Sequence, residues 1–186
     1  DLYPSPPFGD TAIPSKPHTP HTMPPQRIPP QPGQESVWDY PRPPRLEKVE
    51  KRIQIVFNGQ TIADTTAGYR VLETSHPPVY YLPPADIQMQ YLQATARGSF
   101  CEWKGNALYY HLVVGDQRIE NVAWAYPTPT EKFRSIAGYL AFYAQLMDAC
   151  YVDDQLVTPQ PGEFYGGWIT KDIVGPFKGI PGSWGW

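Results

Sequence analysis

Cysteine is scarce in this sequence. The 186 residues include only Cys101 and Cys150, and neither belongs to a Cys-x-x-Cys pair. Structural zinc sites need clustered Cys and His ligands, so we expect no bound metal. His18 and His21 are close in sequence, but no third or fourth ligand stands near them. A disulfide between the two cysteines stays open as an alternative, and two buried free thiols are favoured.

Positive charge and long apolar runs are also in short supply. The chain has 15 Lys and Arg against 18 Asp and Glu, which gives a formal net charge of -3 without any basic run. Nucleic-acid surfaces concentrate Lys and Arg, so nucleic acid is not an expected partner. A membrane helix needs roughly 18 consecutive apolar residues. The sequence has no such run, and we expect no transmembrane segment.

Several sequence motifs of catalysis are missing as well. The chain contains no Gly-x-Ser-x-Gly nucleophile elbow and no Gly-rich phosphate loop ending in Gly-Lys-Ser or Gly-Lys-Thr. These motifs place a nucleophile or a row of backbone donors against a substrate, so their absence removes two common routes to catalysis. We therefore expect no cofactor, and a binding role is favoured over an enzymatic one.

Proline is abundant, and 14 of the 24 prolines fall within residues 1–46. Each proline fixes φ and removes a backbone donor, so we expect an extended tail here with neither helix nor sheet. We predict the folded domain at residues 47–157 and an ordered extension rich in Gly, Pro and Trp at residues 158–186. The chain starts at Asp1 rather than Met, and we expect that a leader has been removed.

Alternating apolar residues and turn signals predict a mainly β domain made of antiparallel hairpins. Residues 52–57, "RIQIVF", place every second apolar side chain on one face before an Asn-Gly turn. The predicted hairpin turns are Asn58-Gly59, Gly115-Asp116 and Asp153-Asp154. One short helix is expected after Thr130, ending at Gly138. Leu140 and Phe142 should then enter the core.

The stretch "RVLETSHPPVYYLPPADI", residues 70–87, contains the best acid-base candidates. If the protein is an enzyme, Glu73, His76 and Glu102 are the expected catalytic residues, because general acid-base catalysis needs groups that titrate near the working pH. His76 precedes two prolines that force an extended chain, so a hydrogen bond within the loop is the favoured role. The same prolines make "VYY" a short strand between rigid corners.

Aromatic residues recur on neighbouring predicted strands. They could form a cage for a flat or cationic ligand, with basic side chains as polar guides. Packing of the β core is the favoured alternative, because the domain has few aliphatic residues. The candidate ligand-binding residues are Arg70, Tyr81, Trp103, Lys104, Tyr109 and Trp124.

Five blocks of sequence together resemble the family called domain of unknown function 427. In order, they are "IQIVFNGQTIADT", "RVLETSHPPVYYLPPADI", "FCEWKGNALYY", "ENVAWAYPTPT" and "GYLAFY", within residues 49–153. The resemblance implies a β-tent fold of two small antiparallel sheets, and family collections attach a nucleotidyltransferase label to it. Metal-binding relatives use Cys-x-x-Cys pairs that this chain lacks. The flanking segments resemble a longer form from photosynthetic microbes and some fungi.

Three functions are consistent with these observations. The favoured one is a non-catalytic assembly module, a peripheral subunit that meets protein partners through its tail and its extension. The resemblance suggests a photosynthetic membrane complex, with the protein in the plastid stroma at the membrane surface; the cytoplasm is the alternative. The other functions are an enzyme acting on a nucleotide or another small molecule at a cleft around Glu73, His76, Tyr81 and Glu102, or a small-ligand sensor.

Overall fold

A computed structural model describes residues 24–186; His18, His21 and the rest of residues 1–23 lie outside the described residues. The described part is mainly β, as predicted. Its strands are β1 (Glu35–Ser36), β2 (Arg45–Val49), β3 (Ile53–Phe57), β4 (Gln60–Thr65), β5 (Gly68–Leu72), β6 (Val79–Tyr81), β7 (Leu92–Cys101), β8 (Gly105–Val114), β9 (Gln117–Ala125), β10 (Leu140–Phe142), β11 (Ala149–Val152), β12 (Gln155–Leu156), β13 (Thr158–Pro159), β14 (Trp168–Ile169) and β15 (Ile173–Val174).

The helical segments within residues 24–186 are single 3-10 turns or little more. They are η1 (Val37–Asp39), η2 (Pro84–Asp86), η3 (Met89–Tyr91), η4 (Glu131–Ile136) and η5 (Ala144–Leu146). The predicted helix is η4, with Thr130 at its N-cap position. The Thr130 hydroxyl does not cap it but donates to the Trp103 carbonyl at 2.6 Å. No helix in the described part is long and apolar enough to cross a membrane.

All three predicted hairpins are confirmed. Strands β3 and β4 pair across Asn58-Gly59, β8 and β9 across Gly115-Asp116, and β11 and β12 across Asp153-Asp154. Each turn contains a residue with positive φ, as tight hairpins require, and Asn58 and Gly59 have φ of 47° and 73°. The predicted "VYY" strand is β6, and it pairs with β5.

The antiparallel strands form two sheets that enclose the main core. One has the order β12-β11-β3-β4 and the other β10-β9-β8-β7. The three strands β2-β5-β6 extend the second sheet, because Leu82 and Leu140 exchange backbone hydrogen bonds of 2.8 and 2.9 Å. Apolar side chains of both sheets meet between them, among them Ile53, Phe142 and Leu112.

Strand alternation creates a second cluster on the opposite face of β9. Ala123 and Ala125 face the main core, whereas Trp124 and Tyr126 belong to the second cluster. Successive side chains in a strand point to opposite faces, so this separation follows directly from the strand period of two. Trp124 of β9 and Tyr126, which directly follows the strand, are therefore placed away from the main core.

The expectation that residues 1–46 contain neither helix nor sheet is wrong for part of the described segment. Strand β1 pairs in parallel with β15, η1 follows it, and Val37 is fully buried. The reason is that residues 33–40 contain no proline, so their backbone donors are available. Strand β2 also starts at Arg45, before the predicted domain boundary.

Candidate functional site

A pocket of about 220 Å³ lies on the face of the second sheet that points away from the main core. The β5–β6 loop forms one side, and the loop closed by the short β13–β14 hairpin forms the other. We call it the aromatic pocket. Its walls include Tyr81, Trp124, Tyr126 and Tyr143, and its polar side chains include Glu73, His76 and Lys104.

The aromatic wall is held by ring contacts and one indole hydrogen bond. Trp124 Nε1 donates to the Tyr81 hydroxyl at 3.3 Å, and the Trp124 and Tyr143 rings lie 4.6 Å apart. Gly166 closes over the indole, and a Cβ at Gly166 would lie 2.2 Å from it. No side chain fits at that position without moving Trp124, so glycine there is a packing requirement of the pocket.

Three tyrosines of the pocket, Tyr81, Tyr126 and Tyr143, are neutral at physiological pH. Burial raises the pKa of Tyr143 to about 12 and raises the pKa of Tyr81 and of Tyr126 further. The cause is desolvation, because a phenolate that leaves water for a buried site loses its hydration. These hydroxyls therefore offer hydrogen bonds without adding negative charge.

His76 is held by Gln160 in a defined tautomer. The Gly167 N–H donates to Gln160 Oε1 at 3.0 Å, so Gln160 Nε2 donates to the Lys178 carbonyl at 2.9 Å and faces His76 Nδ1 at 3.0 Å. Because Nε2 of an amide is only a donor, His76 Nδ1 must accept. The imidazole proton is therefore on His76 Nε2, which lies 3.4 Å from Glu73 Oε2.

His76 is also neutral. Burial, followed by the positive charges of Lys178, Arg42 and Lys104, lowers the pKa of His76 to about 4. The contact with Glu73 at 3.4 Å is thus a contact of a neutral imidazole and not an ion pair at neutral pH. An imidazole with so low a pKa is a weak general base near pH 7, but its N–H remains a hydrogen-bond donor.

The loop that carries Glu73 and His76 is fixed from several directions. Ser75 has a φ of 73° and donates its N–H to the Val37 carbonyl, while the Lys178 N–H donates to the Ser75 carbonyl. The Trp168 N–H donates to the Pro78 carbonyl at 2.8 Å. Each of these bonds joins the loop to a segment distant in sequence, so the position of His76 depends on both flanks of the chain.

Six of the nine predicted site residues lie in the aromatic pocket: Glu73, His76, Tyr81, Lys104, Tyr109 and Trp124. The other three do not. Glu102 is exposed and does not line the pocket. Trp103 is partly buried against the second hydrophobic cluster and does not line the pocket either. The sequence did not point to Gln160, Tyr143 or Tyr165, because nothing local marks them as neighbours of His76.

Arg70 lies elsewhere, in a charge cluster that joins the N-terminal segment to the sheet. Its guanidinium contacts Glu35 Oε1 at 2.5 Å and Glu47 Oε1 at 2.8 Å. Burial alone would lower the pKa of Arg70, but hydrogen bonds and charge from Glu35 and Glu47 raise it. The Tyr40 hydroxyl donates to the same Glu35 oxygen at 2.8 Å. Arg70 therefore has a structural environment rather than that of a ligand guide.

An Arg70→Met variant is expected to lose about 2 kcal/mol of unfolding free energy, because Arg70 is the buried partner while Glu35 and Glu47 can regain water. Urea denaturation followed by tryptophan fluorescence measures this loss. The matched control is Arg52→Met, which removes the Arg52–Asp64 pair between half-exposed side chains and should change stability far less. Equal losses in the two variants would contradict the structural role of Arg70.

The cysteines are free, and they differ in burial. Cys150 is buried, and burial raises the pKa of its thiol to about 12. Cys101 is only partly buried, so the expectation of two buried thiols is wrong for that residue. Among residues 24–186, no group of three or more His, Cys, Asp and Glu side chains is arranged to hold a metal ion.

These features define a small, mainly β domain with an aromatic pocket on one sheet face. The chain belongs to the family described as domain of unknown function (DUF427), whose model matches residues 45–153. No curated protein matches the chain. Gln160 and the Phe164–Gly166 loop lie outside the matched range, so part of the pocket wall comes from segments beyond the family domain.

Proposed function

We propose that the protein binds a small molecule in the aromatic pocket, and that the ligand is a single planar ring carrying an anionic group. The ring follows from the size and the walls of the pocket. A cavity of about 150 Å³ accommodates benzene in a well-studied engineered protein. The aromatic pocket has a volume of about 220 Å³, which leaves room for a ring of that size with one small polar substituent. A molecule as large as a nucleoside triphosphate would extend well beyond it.

The anionic group follows from the charges around the pocket. Lys104 lines it, and Arg42 and Lys178 are close enough to act on the His76 pKa together with Lys104. Glu73 is the opposing carboxylate, and Arg42 Nη2 contacts it at 3.5 Å. Arg42 is paired with Glu73, and Lys178 Nζ donates to a backbone oxygen of Trp186 at 3.1 Å. Lys104 is therefore the cation that gives the partly desolvated pocket the positive potential that favours an anion.

The main observation behind the proposal is that His76 is neutral. This protonation state favours binding over catalysis. A catalytic base works best with a pKa near the working pH, whereas burial holds the pKa of His76 near 4. Its Nε2–H, together with neutral tyrosine hydroxyls, provides donors that fix the orientation of a bound ligand. Catalysis with Glu73 and His76 stays the alternative; Glu102 lies outside this pocket.

The proposal is tested with three ring probes of similar size: benzoate, benzamide and benzylammonium. Benzoate is expected to bind most tightly, and Lys104→Gln is expected to weaken benzoate binding at least about tenfold, because a hydrogen bond to a charged group contributes roughly 1.5–3 kcal/mol. Ligand-observed NMR and the fluorescence of Trp124 measure binding. The matched control is Lys171→Gln, on an exposed lysine, which should leave affinity unchanged.

Two outcomes would contradict the proposal. One is that benzylammonium binds as well as benzoate, which would mean that the positive potential does not select the ligand. The other is that none of the three rings perturbs the Trp124 signal. A result in which Lys104→Gln and Lys171→Gln weaken benzoate equally would assign the effect to overall charge rather than to the pocket.

The assembly role remains a prediction. It comprises a peripheral subunit of a photosynthetic membrane complex in the plastid, or a cytoplasmic protein with other partners. Its support is the proline-rich tail, the C-terminal extension rich in Gly and Trp, and the scarcity of catalytic motifs. Within that tail, residues 35–40 pack on their own domain through Val37 and Tyr40. Sedimentation of the native protein from its source distinguishes the two roles: co-migration with a large complex favours assembly.

A further inference from the structure

Residues 24–32 lie on a surface built from two tryptophans and a proline, none of which lines the aromatic pocket. Trp38 and Trp186 meet edge to face with ring centroids 5.3 Å apart, and Trp38 Nε1 donates to the Pro176 carbonyl at 3.0 Å. A cavity of about 400 Å³ is lined by Pro176 and Trp186 together with Pro24 and Gln26. We call the surface of Trp38, Pro176 and Trp186 the tryptophan face.

The segment that lies on it is "PPQRIPPQP", in which five of nine residues are proline. Arg27 places its guanidinium carbon 5.3 Å from the centre of the Trp38 ring, and the Ile28 N–H donates to the Gly175 carbonyl at 3.1 Å. A surface of adjacent aromatic rings, a cation over an indole and a backbone hydrogen bond are contacts by which an extended proline-rich peptide can be recognised.

The segment is held loosely. Every residue from 24 to 33 is exposed. The cation–π contact of Arg27 and the hydrogen bond of the Ile28 N–H each strengthen binding of the segment by about tenfold or less. Its occupancy therefore depends largely on being tethered to the same chain, which raises its effective concentration to the millimolar range for a short linker. A peptide in solution can take its place once the tethered contacts are weakened.

We infer that the tryptophan face is a recognition site for proline-rich peptides of the form Arg-x-Pro-Pro, occupied at rest by the chain's own residues 24–32. The occupant is defined by chemistry: an extended, donor-poor segment with a basic residue placed over Trp38. The same chemistry in another copy or another protein would compete with the tethered segment. This inference does not depend on the aromatic pocket.

The test uses the full chain with two substitutions, Arg27→Ser and Ile28→Pro, which remove the cation and the N–H donor that hold the segment. The probe is a synthetic peptide of residues 24–33. We expect saturable binding to the doubly substituted chain, with a shift of the Trp38 indole N–H signal, and at least about tenfold weaker binding to the unsubstituted chain. A matched peptide with its prolines replaced by alanine should also bind at least about tenfold more weakly.

Three outcomes would overturn the inference: no binding to the doubly substituted chain with an unchanged melting temperature, no movement of the Trp38 signal on binding, or equal affinity for the alanine peptide. Adding Trp38→Phe to the doubly substituted chain keeps an aromatic ring but removes the indole N–H donor. This variant should bind the peptide more weakly. The same variant should leave benzoate binding unchanged. Peptide recognition by the tryptophan face and ligand binding in the aromatic pocket can therefore be refuted independently.

Discussion

A Trp168→Ala variant is expected to lose about 4 kcal/mol of unfolding free energy, within the roughly 3–5 kcal/mol typical of a deleted core aromatic. Trp168 is 1% exposed and belongs to the main core. Its Nε1 donates to the Phe142 carbonyl at 3.0 Å, and its ring lies 5.2 Å from that of Tyr80. The variant leaves a cavity and an unpaired carbonyl, and the two costs add.

Urea denaturation monitored by circular dichroism measures the loss, because tryptophan fluorescence itself changes in this variant. The matched control is Trp184→Ala, in the same C-terminal segment, where the side chain is 59% exposed. An exposed substitution of this kind should change stability by about 0.5 kcal/mol or less. Similar losses in both variants would mean that residues 158–186 do not supply part of the core.

This prediction concerns how far the domain extends. Trp168 lies outside residues 45–153, the range matched by the family model, yet it packs on strands within that range. If the Trp168→Ala loss is as large as expected, the C-terminal segment is an integral part of the folded unit rather than an appendage. A protein lacking residues 158–186 would then be destabilised even though the family domain is intact.

Stability is expected to fall by about 3 kcal/mol between pH 7 and pH 4 through His76 alone, since each unit of pKa difference corresponds to 1.36 kcal/mol. The pKa of His76 is about 4 in the folded state against an ordinary 6.5. Between these values the unfolded chain binds a proton that the folded chain does not. Acidification from about pH 6.5 to pH 4 therefore favours unfolding. Above about pH 6.5, protonation of His76 no longer lowers the free energy of unfolding. The side chain is 17% exposed, so little of the effect is lost to solvent.

The measurement is a set of urea titrations at half-unit steps from pH 4 to pH 7.5, compared between the unsubstituted chain and His76→Gln. Glutamine cannot titrate, so the stability difference between the two chains should change by about 3 kcal/mol across the series. The matched control is His111→Gln. It retains His76, so its free energy of unfolding should fall with pH as much as that of the unsubstituted chain. NMR titration of the His76 ring gives a second readout, with a midpoint near 4; a midpoint near 6.5 would contradict the burial of this residue.

The local patterns in the sequence were sufficient for the hairpins but not for all of the described N-terminal segment. Asn58-Gly59 adopts the backbone conformation that a tight turn needs wherever it occurs, so the β3–β4 hairpin was predictable. The proline content of residues 1–46 as a whole does not predict the buried turn at Val37. A proline-free stretch within a proline-rich segment keeps its donors, and the structure uses them in β1 and η1.

The candidate site divides in the same way. Residue type marked Glu73 and His76, and the recurrence of aromatic residues on neighbouring predicted strands marked Tyr81 and Trp124. The structure brings all four to the aromatic pocket. From the sequence, Arg70 is a candidate polar guide for a ligand held by the aromatic residues. The structure instead pairs it with Glu35 and Glu47, on a different part of the surface.

The sequence by itself determined the class of fold, the hairpin turns, the family and the residue types available for chemistry. These depend on properties of neighbouring residues: turn conformation, strand period and proline geometry. Only the tertiary structure decided that His76 is neutral and which of its nitrogens carries the proton. Both depend on Gln160 and on cations from distant segments, because burial and charge act through space between residues whose proximity no local pattern encodes.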